Sequence, residues 1–158
     1  AHRLSHQFLS EMRQLNLGET HLRTKVERNP NLILDWTAED WAEFEIVLPE
    51  ITYEGRERMQ FGNVSLELVH VGGVHAADST VIKVEEEGVM FLGDCYYPAP
   101  RYENPTDQML DMKMLADLLD EKYDTYIDGH NAPMATRHVR RILRSQALLA
   151  RLNETKPA

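Results

Sequence analysis

At 158 residues and 18.3 kDa, with 42% hydrophobic and 27% charged residues, the chain carries enough apolar side chains for a hydrophobic core and is not a disordered polypeptide. A formal net charge of −9 and a pI near 5.2 set it against polyanions, so nucleic acid is not an expected partner. The single cysteine, Cys95, excludes an internal disulfide and suits a cytoplasmic, reducing compartment. No apolar run approaches the roughly 20 residues that span a bilayer, so no membrane partner is expected.

The opening Ala1-His2-Arg3-Leu4 lacks an initiating Met and does not read as a signal peptide; it is expected to come from the middle of a longer polypeptide. Phe8, Leu9, Met12 and Leu15 fall at helical spacing, with Ser5 as a candidate N-cap and Gly18 beyond the end. Residues 16–45 are polar and irregular, with a turn of helix expected around Trp41. The segment reads either as a lid or as a surface insertion. Strands are expected at Ile46-Val47-Leu48, Arg58 to Phe61, Val64 to Val71, Ser79 to Val84 and Val89 to Leu92, with Gly62-Asn63 as a hairpin turn. The acidic run Glu85-Glu86-Glu87-Gly88 reads as a solvated turn, so these strands form an antiparallel meander.

Beyond Tyr96-Tyr97-Pro98-Ala99-Pro100 the pattern becomes helical. Met109, Leu110, Met112, Leu115, Leu118 and Leu119 share one face, and Asp107 is the expected cap or first-turn residue. A short strand at Thr125-Tyr126-Ile127 precedes a helix from Ala135 to Leu152, with Val139, Ile142, Leu143, Leu148 and Leu149 inward and a solvated arginine face. The fold class is α+β, a mostly antiparallel sheet with helices on one side.

Three places combine a strand end, a glycine and a metal-competent side chain: His75 after Gly72-Gly73-Val74, Asp94 after Gly93, and His130 after Gly129. Two imidazoles and a carboxylate are ligand types that zinc or another borderline divalent ion accepts, and a carboxylate can bridge two ions. The separations of 19 and 36 residues are too long for a local loop, so only the fold could bring them together.

The run from Leu68 to Ser79 containing Gly72-Gly73-Val74-His75, the segment Gly88 to Asp94, and Asp128-Gly129-His130-Asn131 resemble the later motifs of the metallo-β-lactamase superfamily, in order and spacing. The opening Ala1 to Ser5 resembles the stretch that follows that family's first metal motif. The resemblance implies the C-terminal half of an αβ/βα sandwich, a single partial domain over residues 1–158. It implies His75 and His130 as metal ligands and Asp94 as the bridging, catalytic carboxylate. Ala76 stands where Thr is usual and Asn131 where Gly is frequent, and neither change removes a ligand. Asp78 reads equally as an outer residue orienting an imidazole and as a turn cap. Cys95 reads as a partly buried small residue, and His21, His70 and His138 as structural.

The family's His-x-His-x-Asp-His signature, which supplies four ligands upstream, occurs nowhere in the sequence. The chain alone therefore offers each of up to two ions about two ligands, against the three or four of a stable zinc site. For a completed protein the resemblance implies a hydrolase in which metal-activated hydroxide attacks a small ester, thioester, lactone or amide. A complementing N-terminal half or a homodimer is the expected partner. The competing reading is a non-catalytic remnant or interaction module without functional metal.

Overall fold

The computed structural model describes residues 1–14, 27, 45–99, 106 and 109–154. Backbone contacts divide the chain into two compact units, Ala1–Thr52 and Tyr53–Ala158. Leu15, Gly18, most of the 16–45 excursion with His21 and Trp41, the Asp107 cap and the Leu149 side chain lie outside the described residues.

In the first unit, helix α1 spans Arg3–Gln14. It begins ahead of the expected Ser5 cap because the backbone N–H of Leu4 donates to His2 Nδ1 at 3.3 Å, which covers one of the open first-turn amides. The strand expected at Ile46-Val47-Leu48 does not form, and Val47 is exposed. A β-branched run becomes a strand only where a neighbour supplies ladder hydrogen bonds and packing. Contacts from the start of the chain reach its flanks instead, with Ala1 N donating to Ile51 O at 2.9 Å and Arg13 paired with Glu45.

The second unit is built on one six-stranded sheet in sequence order: β1 (Arg56–Phe61), β2 (Val64–His70), β3 (Thr80–Val84), β4 (Val89–Gly93), β5 (Thr125–Asp128) and β6 (Met134–Ala135). The β1–β2 turn is the expected one: Phe61 pairs with Val64, and Gly62 takes φ +61°, which a two-residue hairpin requires. A 3₁₀ turn at Glu85–Glu87 joins β3 to β4 and closes on Gly88 in the left-handed conformation. Strands β1 to β4 are antiparallel, whereas β5 runs parallel to β4. The two-residue β6, too short to leave a period in the sequence, pairs antiparallel with β5.

Helix α2 (Met112–Asp117) is shorter than expected, because the Asp111 carboxylate accepts the Met114 N–H at 2.8 Å and starts the helix there. Met109 and Leu110 consequently precede it and are exposed rather than core. Helix α3 spans Thr136–Glu154, with Val139 fully buried and Ile142 and Leu143 packed on the core. Leu148 is exposed, contrary to expectation. It lies nine residues past Val139, which at about 3.6 residues per turn places it on the opposite side of the helix.

Val81, Met90, Leu92 and Tyr126 share the sheet face that meets Leu115 and Val139. The Tyr126 hydroxyl donates to Asp120 O and accepts from Asp120 N, both at 2.9 Å, so its burial leaves no polar group unpaired. The other sheet face carries a cross-strand apolar row, Leu68–Ile82–Phe91–Ile127, continued at its edge by Leu66–Met59.

Cys95 is more deeply buried than expected, at 1% exposure within the core. Burial pushes its thiol up to about 11. At pH 8 the folded chain should therefore resist a thiol-specific reagent, and full labelling should appear only on unfolding in denaturant. Rapid labelling of the native chain would contradict this burial.

Candidate metal centre

The topology alone brings the three strand-end residues together. Strand β2 is antiparallel to β3, β3 to β4, and β4 parallel to β5, so β2, β4 and β5 all point the same way. The loops carrying His75, Asp94 and His130 thus leave one end of the sheet, where a rigid scaffold can present side chains.

Each loop is shaped by a local device. After β2 the chain closes on itself, with Val71 N and Gly72 N donating to Ser79 O at 2.9 and 3.1 Å, and Ser79 N returning to Ala76 O at 3.1 Å. Gly73 has φ +124°, and a Cβ there would stand 2.8 Å from the Cys95 carbonyl. Only glycine lets this loop lie so close to the turn after β4. At the end of β4 the pairing with β5 shifts register between Phe91 and Gly93, a bulge-like irregularity that re-aims the next side chain, Asp94.

The third loop is organised by Asp128, the last residue of β5. Its Oδ1 accepts the backbone N–H groups of His130 and Asn131 at 2.9 and 2.7 Å. Its Oδ2 accepts the hydroxyls of Tyr96 and Tyr97, the latter at 3.3 Å, and the Asn131 side-chain amide at 3.0 Å. Burial alone would push this carboxyl up. The Tyr96 hydroxyl, the Asn131 amide and the two backbone donors outweigh it and hold the group at about 2. Burial, reinforced by the bond to Asp128, pushes the Tyr96 hydroxyl well above its ordinary range. Tyr97 also lays its ring against the His130 imidazole, with centroids 4.5 Å apart. Sequence reasoning missed this network. Its only local signal is an Asp placed two and three residues before the amides it receives.

His75 Nε2 lies 3.6 Å and His130 Nε2 3.5 Å from the same atom, Asp94 Oδ2. His75 Nδ1 is 2.9 Å from Pro98 O, and because a carbonyl only accepts, Nδ1 carries the proton. In the neutral ring, Nε2 then points a lone pair toward a carboxylate oxygen. At 3.6 Å the two atoms are too far apart for a direct hydrogen bond. Ligand atoms bound tetrahedrally to one zinc ion at about 2.1 Å stand roughly 3.4 Å apart, so the separations suit a shared cation. Asp94 Oδ1 is buried and receives no hydrogen bond, a second sign that this carboxylate lacks its counterpart. The His75–Pro98 bond has the form by which ligating imidazoles are oriented.

Among the described residues, no three His, Cys, Asp or Glu side chains form a group able to hold an ion by themselves. The arrangement is two His–Asp pairs sharing one carboxylate oxygen, with side-chain exposures of 24% for His75, 33% for Asp94 and 57% for His130. These residues fit the role of a shared carboxylate flanked by one imidazole per ion, and do not fit a self-sufficient site for one. Asp78 sits on the His75 loop, where its carbonyl accepts from Thr80 Oγ1 at 3.2 Å. His70 Nε2 is 2.8 Å from Ala77 O, bracing the same loop from its base. No described helix is long and apolar enough to cross a membrane.

No protein-family model matches the sequence, and comparison with curated proteins likewise found no match. Solved structures do match. A metallo-β-lactamase superfamily protein from Sulfolobus tokodaii is 19% identical, with a TM-score of 0.44 over 60% of this chain and 38% of its own. A stereoselective inverting sec-alkylsulfatase from Pseudomonas sp. is 24% identical, with a TM-score of 0.46 over 65% of this chain and 18% of its own. A metallo-β-lactamase family protein from Thermus thermophilus is 17% identical, with a TM-score of 0.48 over 90% of this chain and 49% of its own. The chain thus spans less than half the length of each of these three proteins.

Proposed function

We propose that this chain is part of a metal-dependent hydrolase, with zinc as the expected ion, up to two ions in the complete protein, and other divalent metals chemically compatible. The observation that carries the reading is the approach of two imidazole Nε2 atoms to one carboxylate oxygen, Asp94 Oδ2, at 3.5–3.6 Å. His75 and Asp94 would hold one ion, His130 and Asp94 the other. A bound ion of this kind supplies Lewis acidity, polarising a substrate carbonyl and acidifying water near neutral pH. The chain's own contribution is positional: Pro98 O fixes the His75 ring, Asp94 places negative charge between the imidazoles, and the Asp128 loop sets His130.

A small ester, thioester, lactone or amide is the proposed substrate, because a net charge of −9 disfavours polyanions. With only about two ligands per ion in this chain, a stable zinc site needs others. We assign these to a preceding segment of a longer protein, or to a second chain that also covers the apolar row Leu68–Ile82–Phe91–Ile127. The single buried Cys95 suits a cytoplasmic setting. In the complete protein, His130→Ala should abolish zinc-dependent turnover of a panel of small esters, thioesters and lactones while leaving the melting temperature within a few degrees. A parallel loss of folding would make His130 structural.

The alternative is a non-catalytic module, favoured by the lack of any three-ligand group among the described residues. No zinc retained and no turnover by the complete protein would establish it.

A further inference from the structure

We propose that Asp128 is the positioning residue of the site, orienting the His130 imidazole through the loop amides on one carboxylate oxygen and through Tyr97 and Asn131 on the other, without touching an ion itself. The inference rests on reading His130 as a ligand. Asp128 carries a carboxylate two residues before His130, so its role as a ligand must be tested against the geometry. The geometry excludes that role. Both carboxylate oxygens are already occupied: Oδ1 by two backbone donors, Oδ2 by two hydroxyls and an amide. The residue is 7% exposed, which leaves little room for a sixth partner.

What this carboxylate does is transmit order. The Oδ1 bonds pin the backbone from which His130 projects. On the other oxygen, Asp128, Tyr97 and Asn131 close a triangle, because the Asn131 amide donates to Tyr97 Oη at 2.7 Å as well as to Asp128 Oδ2. That triangle holds the Tyr97 ring, which meets the His130 imidazole in a tilted contact with an interplanar angle of 54°. Loop position and ring rotation are therefore set by one buried group. His130 is the more exposed of the two imidazoles and, unlike His75, its ring is held by a tilted aromatic neighbour whose own hydroxyl is fixed by Asp128.

Asp128→Asn separates the two functions. Its carbonyl oxygen can still take the loop amides, so the backbone keeps its anchor. Its new NH₂ group meets the Asn131 NH₂, and two donors cannot pair. Tyr97→Phe keeps the ring and loses the hydroxyl, and Tyr97→Leu loses both.

The test uses the complete protein labelled with ¹⁵N at histidine, first without metal and then titrated with zinc chloride. Without metal, the wild-type His130 ring should show proximity to the Tyr97 ring, and Asp128→Asn should lose it while the His75 signals stay put. With zinc, Asp128→Asn should weaken the response of His130 by about 10- to 100-fold, with Tyr97→Leu close behind and Tyr97→Phe between it and wild type. Wild-type His130 signals in Asp128→Asn, or equal disturbance of His75 and His130, would overturn the assignment. If the complete wild-type protein shows no zinc response at all, the ligand reading fails, and the metal-free signals alone decide whether Asp128 positions His130.

Discussion

In the complete protein, Asp94→Ala should remove zinc binding and leave the fold at least as stable as before. Both imidazoles face Oδ2 of this one residue, so its loss dismantles both halves of the arrangement, whereas loss of either His spares one. The stability expectation is the unusual part. Oδ1 of Asp94 is buried without a hydrogen bond, and no donor in the fold depends on it. Removing a buried, unpaired acceptor relieves a desolvation cost on the order of 1–3 kcal/mol instead of adding one. Equilibrium dialysis against zinc and a thermal melt, on the same sample, check the two halves together. A folded variant that binds zinc as well as wild type would contradict the site, and a large fall in melting temperature would assign Asp94 a structural role.

Gly129→Ala should have the second-largest effect, and for a steric reason visible only in three dimensions. A methyl group there would run into Asp94 Oδ1, while the backbone at Gly129 takes no positive φ that would make a side chain intrinsically strained. The atom in the way belongs to a side chain, so the fold can absorb the change by turning the carboxylate aside. The expected result is a weakening of zinc affinity by about 100-fold, the upper range for changes beside a ligand, with little loss of stability. Gly73→Ala makes the contrast. Its Cβ would meet a backbone carbonyl, Cys95 O, at φ +124°, so neither partner can step aside and the fold should lose about 1–3 kcal/mol. Zinc titration and denaturant unfolding of both variants separate the two glycines. Equal effects on both quantities would contradict the distinction.

That His75, Asp94 and His130 lie just beyond strands was legible because each comes within two residues of a glycine after an apolar run, a local pattern. The Gly62-Asn63 hairpin, the acidic 3₁₀ turn and the long final helix were legible for the same reason, since each depends on residues close in sequence. Elements whose fate depends on distant partners were not. Ile46-Val47-Leu48 has strand composition but finds no ladder among the described residues, and Met109 and Leu110 have helical spacing but stand before the Asp111 cap. The Asp128 network was hidden for the strongest version of that reason. Tyr96 and Tyr97 lie more than 30 residues before the carboxylate they bond, and look in sequence like a change of pattern between strand and helix. That β5 would run parallel to β4, and so bring the Asp94 and His130 loops to one end, follows from the helix α2 crossover and not from any residue at the site.

The most direct test of the shared-carboxylate arrangement is the histidine side-chain ¹H–¹⁵N spectrum of the complete wild-type protein during titration with zinc. The Nε2 resonances of His75 and His130 are expected to move together, with those of His70 and His138 unchanged. Movement confined to other histidines, or a response at only one of the two, would contradict the claim that Asp94 joins both imidazoles in one metal centre.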